Sequence, residues 1–103
     1  MTASERIQTL AVRVLEQARR CGATIGCAES CTGGMIASAL TDIPGSSDVF
    51  VGGVVSYWVD VKESVLGVDP QALAEHGVVS SQVAEQMARG ARAALGCTHA
   101  VAT

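Results

Sequence analysis

Over the first twenty positions, Ile7, Leu10, Ala11, Val14, Leu15 and Ala18 recur at three- and four-residue steps, the repeat of one apolar helical face. Thr2 or Ser4 can cap the start, and Gly22 stands where a left-handed residue ends a helix, so a helix is predicted over about 4–20. The pattern then changes. Ala23 to Ala28 is a continuous apolar run suited to a buried strand, Glu29 to Gly34 is polar and glycine-rich, and Met35 to Leu40 resumes a helical pattern. Strand, turn and helix follow in that order. Pro44-Gly45-Ser46-Ser47 breaks the chain, and the valine-rich segment from Val49 to Trp58, interrupted by Gly52-Gly53, predicts a second strand at about 53–58. Asp60 can cap a short helix through Leu66, while Asp69-Pro70 is an N-cap and first-turn pair for a helix ending at Gly77. Ser80 or Ser81 then opens a longer helix with a stripe of Val83, Ala84, Met87, Ala88, Ala91, Ala94 and Leu95, closed by Gly96. Thr98 to Thr103 reads as the opening of a third strand.

Strands that alternate with helices pair in parallel through right-handed crossovers, which gives the α/β class. At 103 residues the chain is expected to form one domain, residues 1–103. The composition is 49% apolar but only 3% aromatic, with sixteen alanines and eleven glycines, so the core is one of small side chains that lets helices lie close to a sheet. A net charge of −3 and seven scattered basic residues argue against a nucleic-acid partner. No run approaches the roughly 20 apolar residues of a membrane span, and the first twenty residues lack a secretory pattern. A cytoplasmic location is expected, with Cys21, Cys27, Cys31 and Cys97 reduced. Their spacing fits no zinc pattern, and only His76 and His99 could add imidazole, so no metal is expected.

The chemistry concentrates in the turn after the first strand. In open α/β sheets, ligands bind at the carboxyl ends of strands, where the following helix exposes amides and the positive end of its dipole. Here Ser30, Cys31 and Thr32 offer two hydroxyls and a thiol, and Gly33-Gly34 would let a ligand approach the backbone. Phosphate, carboxylate or a developing oxyanion would each be stabilised there. The alternative is that Ser30 or Thr32 only caps the helix and the glycines only permit tight packing. Neither a Walker nor a GxGxxG pattern is present. A serine nucleophile needs a base, but His76 and His99 read as structural. Lys62 follows the second strand, and adjacent parallel strands would bring it beside the turn; a desolvated, neutral lysine can activate serine. Taken alone it reads as a solvated surface residue. Tyr57 can orient Lys62 or a substrate through its phenol, or simply pack, and Cys31 is a rival nucleophile at a helix N-terminus.

Four ordered segments carry a resemblance. Ala28-Glu29-Ser30-Cys31-Thr32-Gly33-Gly34, Pro44-Gly45-Ser46-Ser47 with Phe50, Gly53-Val54-Val55-Ser56-Tyr57 with Lys62, and Leu73-Ala74-x-His76-Gly77-x-Val79-Ser80 resemble the CinA C-terminal domain family. The resemblance implies a three-layer α/β/α sandwich with a largely parallel sheet, often dimeric. It implies hydrolysis of the carboxamide of nicotinamide mononucleotide to nicotinate mononucleotide and ammonia, without metal or other cofactor. Ser30 would be the nucleophile, with Lys62 and Tyr57 activating it and Glu29, Cys31, Thr32, Gly33 and Gly34 contacting the nucleotide. The expected partners are a small-molecule nucleotide and further copies of the chain, with no membrane. Trp58 and Val59 depart from the family, which commonly has a small polar residue and Asn there. The family also continues beyond a strand like Thr98 to Thr103 into a loop that completes the site, so the chain corresponds to about the first two-thirds of the domain and reduced activity is expected. The alternative is a noncatalytic nucleotide-binding or interaction domain that has kept the turn.

Overall fold

A computed structural model describes all 103 residues. The elements run α1 (Ala3–Cys21), β1 (Ile25–Glu29), α2 (Met35–Thr41), a 3-10 turn (Ser46–Asp48), β2 (Phe50–Val55), α3 (Val59–Ser64), α4 (Pro70–His76), α5 (Ser81–Leu95) and β3 (His99–Ala102). Thr2 settles the start of α1: its hydroxyl accepts the Glu5 N–H while the Glu5 carboxylate accepts the Thr2 N–H. Asp69 and Ser80 cap α4 and α5 through their side chains.

The strands form one parallel sheet in the order β2-β1-β3, and parallel neighbours need crossovers. The connection through α2 carries the chain from β1 to β2, and α3, α4 and α5 carry it on to β3. On one face Ala11, Leu15 and Ala18 of α1 and Leu40 of α2 pack with Val49, Ile25 and Phe50. On the other, Val83, Met87 and Ala91 of α5 close over Ala28 together with Leu66 and Val68. Helices therefore cover both faces, and the α/β reading holds. The small-residue composition is used directly where α5 lies on the Leu66 backbone: a Cβ on Gly90 would stand 1.9 Å from the Leu66 carbonyl oxygen.

Several boundaries differ from the sequence reading. β1 starts and ends later than 23–28, so Glu29 closes the strand instead of opening the turn; its carbonyl continues the ladder by accepting the Ser56 N–H at 2.8 Å. β2 spans Phe50–Val55 rather than 53–58, with Gly52 and Gly53 inside it opposite Gly26 and Cys27. The pair is not an interruption but a clearance, since a Cβ on Gly53 would meet the Cys27 sulfur at 2.7 Å. Asp60 does not cap α3; Trp58 holds the N-cap position and Asp60 lies in the first turn. In α1, Ala11, Leu15 and Ala18 are buried whereas Ile7, Leu10 and Val14 are not. No helix is long and apolar enough to cross a membrane.

Candidate functional site

At the carboxyl end of β1 the chain turns into α2 through Ser30 to Gly34. Ser30 is pinned on both sides of its peptide: its N–H donates to the Thr103 carbonyl at 2.8 Å and its carbonyl accepts the Gly33 N–H at 3.2 Å. Gly33 and Gly34 take φ values of 60° and 108°, backbone that side-chain-bearing residues rarely adopt. The glycines are thus required by the turn itself, whatever approaches it.

Lys62 reaches the same place from α3. It is the only lysine in the chain, and it is fully buried. Its Nζ donates to Ser30 Oγ at 3.0 Å, to the Ser56 carbonyl at 2.6 Å and to the Tyr57 carbonyl at 3.1 Å. No carboxylate lies within ion-pair distance of it. Burial pushes the ammonium below the ordinary lysine range, against a smaller opposing effect of Cys31. Carbonyls only accept, so a neutral amine that gives its two hydrogens to Ser56 and Tyr57 turns its lone pair towards the Ser30 hydroxyl.

Glu29 is buried and points under the turn. Its carboxylate accepts from Gly34 N at 3.2 Å, Ile36 N at 2.9 Å, Ala37 N at 3.0 Å and Thr32 Oγ1 at 2.7 Å. Burial raises its pKa, but the N–H groups of Ala37 and Ile36, with Thr32 and Cys27, outweigh this and hold it below the usual carboxylate range. The start of α2 is therefore filled by an internal anion, which compensates its unpaired N–H groups and dipole. Burial and the neighbouring Glu29 push the Cys27 thiol up to about 11.

This leaves a short list of open donors. Gly33 N–H bonds the Ser30 carbonyl and Gly34 N–H bonds Glu29, whereas the N–H groups of Cys31 and Thr32 have no partner. Both directly follow Ser30. The other expected residues divide. Tyr57 contributes its carbonyl to Lys62, but its side chain is 71% exposed and makes no hydrogen bond to Lys62. The Cys31 thiol is exposed and does not bond Lys62. His76 ends α4 beside Glu75, and His99 bonds Thr98, so neither engages Ser30.

Two residues were missed by sequence reasoning. Thr103 supplies the carbonyl that holds Ser30, and its hydroxyl bonds the Thr32 hydroxyl. Ser56 supplies the shortest contact to Lys62, and its own hydroxyl is buried without a partner. Both lie just beyond the carboxyl ends of strands flanking β1, the positional signal that could have found them. No group of three or more His, Cys, Asp or Glu side chains is placed to hold a metal ion.

Comparison with known proteins places this chain in a family. The CinA C-terminal domain model matches residues 7–103. The CinA-like protein of Myxococcus xanthus is 52% identical over 92 residues, covering 89% of this chain and 22% of that protein. The CinA-like protein of Salinibacter ruber is 56% identical over 81 residues, 79% of this chain and 20% of its own length. Among solved structures, the competence/damage inducible protein CihA from Agrobacterium tumefaciens is 45% identical with a TM-score of 0.86, over 93% of this chain and 58% of that chain. A CinA superfamily protein from Escherichia coli reaches a TM-score of 0.93 at 28% identity, over 99% of this chain and 59% of its own. The chain thus spans about a fifth of the curated relatives and under two-thirds of the solved ones. With its α/β fold, its Ser30 turn and a family match from residue 7 to residue 103, the chain belongs to the CinA C-terminal domain family.

Proposed function

We propose that the site is that of a serine–lysine amidohydrolase acting on the carboxamide of nicotinamide mononucleotide. The observation that carries this reading is the 3.0 Å contact between Ser30 Oγ and the Nζ of a buried lysine that has no counter-anion. A neutral Lys62 takes the hydroxyl proton as Ser30 attacks the amide carbon. The oxygen of the tetrahedral adduct gains negative charge, and the free N–H groups of Cys31 and Thr32, adjoining the nucleophile, are the donors available to it. Lys62, now an ammonium, gives its proton to the departing nitrogen, which leaves as ammonia. Water then attacks the Ser30 ester while Lys62 accepts its proton, and as the C–O bond to Ser30 breaks Lys62 returns that proton to Ser30 Oγ, which releases nicotinate mononucleotide and restores both groups.

The internal use of Glu29 and the two glycine N–H groups favours an oxyanion at this turn over a nucleotide phosphate, because two adjacent donors suit one oxygen. The test is ammonia release from nicotinamide mononucleotide. Release is expected to fall at least about 10³-fold in Ser30→Ala and in Lys62→Met. Lys62→Arg is expected to be equally inactive, since a guanidinium stays protonated. Ammonia release no greater than that of Ser30→Ala would overturn the proposal.

A further inference from the structure

Ser30 Oγ, the buried Lys62 Nζ 3.0 Å from it and the unpartnered N–H groups of Cys31 and Thr32 together supply a nucleophile, a base and two oxyanion donors. Acyl transfer needs no more than these. A nucleotide also brings a phosphate, which is ordinarily held by cationic side chains or by the free N–H groups that open a helix. The N–H groups at the start of α2 are already taken by Glu29. The arginines stand elsewhere: Arg6, Arg13, Arg19 and Arg20 on α1, Arg89 and Arg92 on α5, and none on the segments that carry Ser30, Ser56 to Lys62 or Thr103. The short helix that presents Lys62 adds two carboxylates, Asp60 and Glu63. Just ahead of it, Tyr57 and Trp58 are 71% and 72% exposed. The segment around the lysine therefore combines exposed aromatic rings with negative charge and offers no second cation.

We infer that this chain hydrolyses small uncharged carboxylic esters at Ser30, aryl esters above all. That activity rests on the serine–lysine assignment proposed above and not on the nucleotide as substrate. Ser30 Oγ bonds to the ester carbonyl carbon as its proton passes to Lys62 Nζ, and the N–H groups of Cys31 and Thr32 hold the resulting oxyanion. The carbonyl re-forms, the C–O bond to the alcohol breaks, and Lys62 gives its proton to the departing oxygen. Water then attacks the acyl carbon while Lys62 takes its proton. The bond to Ser30 breaks and Lys62 returns that proton to Oγ, so one ester and one water yield one carboxylic acid and one alcohol. An ester asks less of this apparatus than an amide does. An amide nitrogen leaves only once protonated, whereas an aryl oxide is stable enough as an anion to depart with little help from Lys62. Asp60 and Glu63 favour a neutral ester by repelling an anionic one.

The test follows nitrophenolate release from p-nitrophenyl acetate by the 103-residue chain. Repeated turnover is expected, with an acetyl group on Ser30 in acid-quenched samples. Turnover is expected to fall at least about 10²-fold in Ser30→Ala and in Lys62→Met. Ser30→Ala removes one oxygen and should keep the wild-type circular dichroism spectrum, so its loss of turnover reads the chemistry and not the fold. The anionic p-nitrophenyl hemisuccinate is expected to turn over roughly tenfold more slowly at low salt, a gap that narrows in about 1 M salt. Release that Ser30→Ala retains, acetylation that stops at one equivalent without turnover, or a preference for the anionic ester would each overturn the inference. Ester turnover without ammonia from nicotinamide mononucleotide would uphold the esterase and remove the nucleotide as substrate; ammonia without ester turnover would do the reverse.

Discussion

Burying the only lysine of a chain without a carboxylate beside it raises the free energy of its charged form. The sign of the resulting pH dependence follows. Because the folded pKa lies below the ordinary 10.5, the unfolded chain binds more protons between the two values, and stability rises with pH across that interval. In urea titrations run from neutral pH towards 10.5, the wild type is expected to gain stability relative to Lys62→Met. A constant difference would mean that Lys62 carries the same charge in both states. The thiols supply a second check at this scale. Cys27 and Cys97 are buried, with Cys27 pushed up to about 11, whereas Cys21 and Cys31 are exposed. The folded chain is expected to show two thiols reacting promptly with a disulfide reagent and two only in denaturant.

At the scale of elements, α2 depends on a residue outside it. Glu29 accepts the N–H groups of Gly34, Ile36 and Ala37, so Glu29→Gln is expected to cost about 1–3 kcal/mol near neutral pH in denaturant unfolding. Since its folded pKa is lowered from 4.5, the contribution of Glu29 is present above that value and is lost as pH falls through the folded pKa, where the variant and the wild type should converge. Gly90 offers the opposite kind of test. In an exposed helix Gly→Ala gains up to about 1 kcal/mol, but here the Leu66 carbonyl occupies the position of the added carbon. Gly90→Ala is expected to lower the melting temperature through overpacking of about 1–3 kcal/mol; a rise would show that α5 can lift off Leu66 at little cost.

These cases also show what could be read in advance. Caps and apolar steps made the helices legible, because both are local: Thr2, Asp69 and Ser80 stand next to what they cap. The meeting of Ser30 with Lys62 was legible because parallel neighbours align their carboxyl ends. The role of Glu29 was not. A carboxylate near a glycine-rich turn reads as a ligand contact until the strand is seen to end on it and send it inward beneath α2. β2 was misplaced for a similar reason, since Gly52-Gly53 looks like an interruption unless the Cys27 sulfur across the ladder is known.

At the scale of the whole molecule, helices cover both faces of the three-stranded sheet, and α1 leaves three of its apolar residues, Ile7, Leu10 and Val14, about half exposed. A periodicity cannot divide one wide stripe into a half that meets the core and a half that stays exposed; only the packing of α1 on the sheet does that. The site is likewise assembled from all three strands, with Ser30 after β1, the Ser56 carbonyl after β2 and Thr103 after β3. The proposed reaction turns on the protonation state of a single amine, Lys62. The chain has one lysine, so labelling lysine with carbon-13 at Cε gives one resonance to follow by NMR from neutral to alkaline pH. Its titration midpoint is expected below 10.5, in a folded chain whose Ser30 is intact. A midpoint at or above that value would contradict the assignment of Lys62 as the base that activates Ser30.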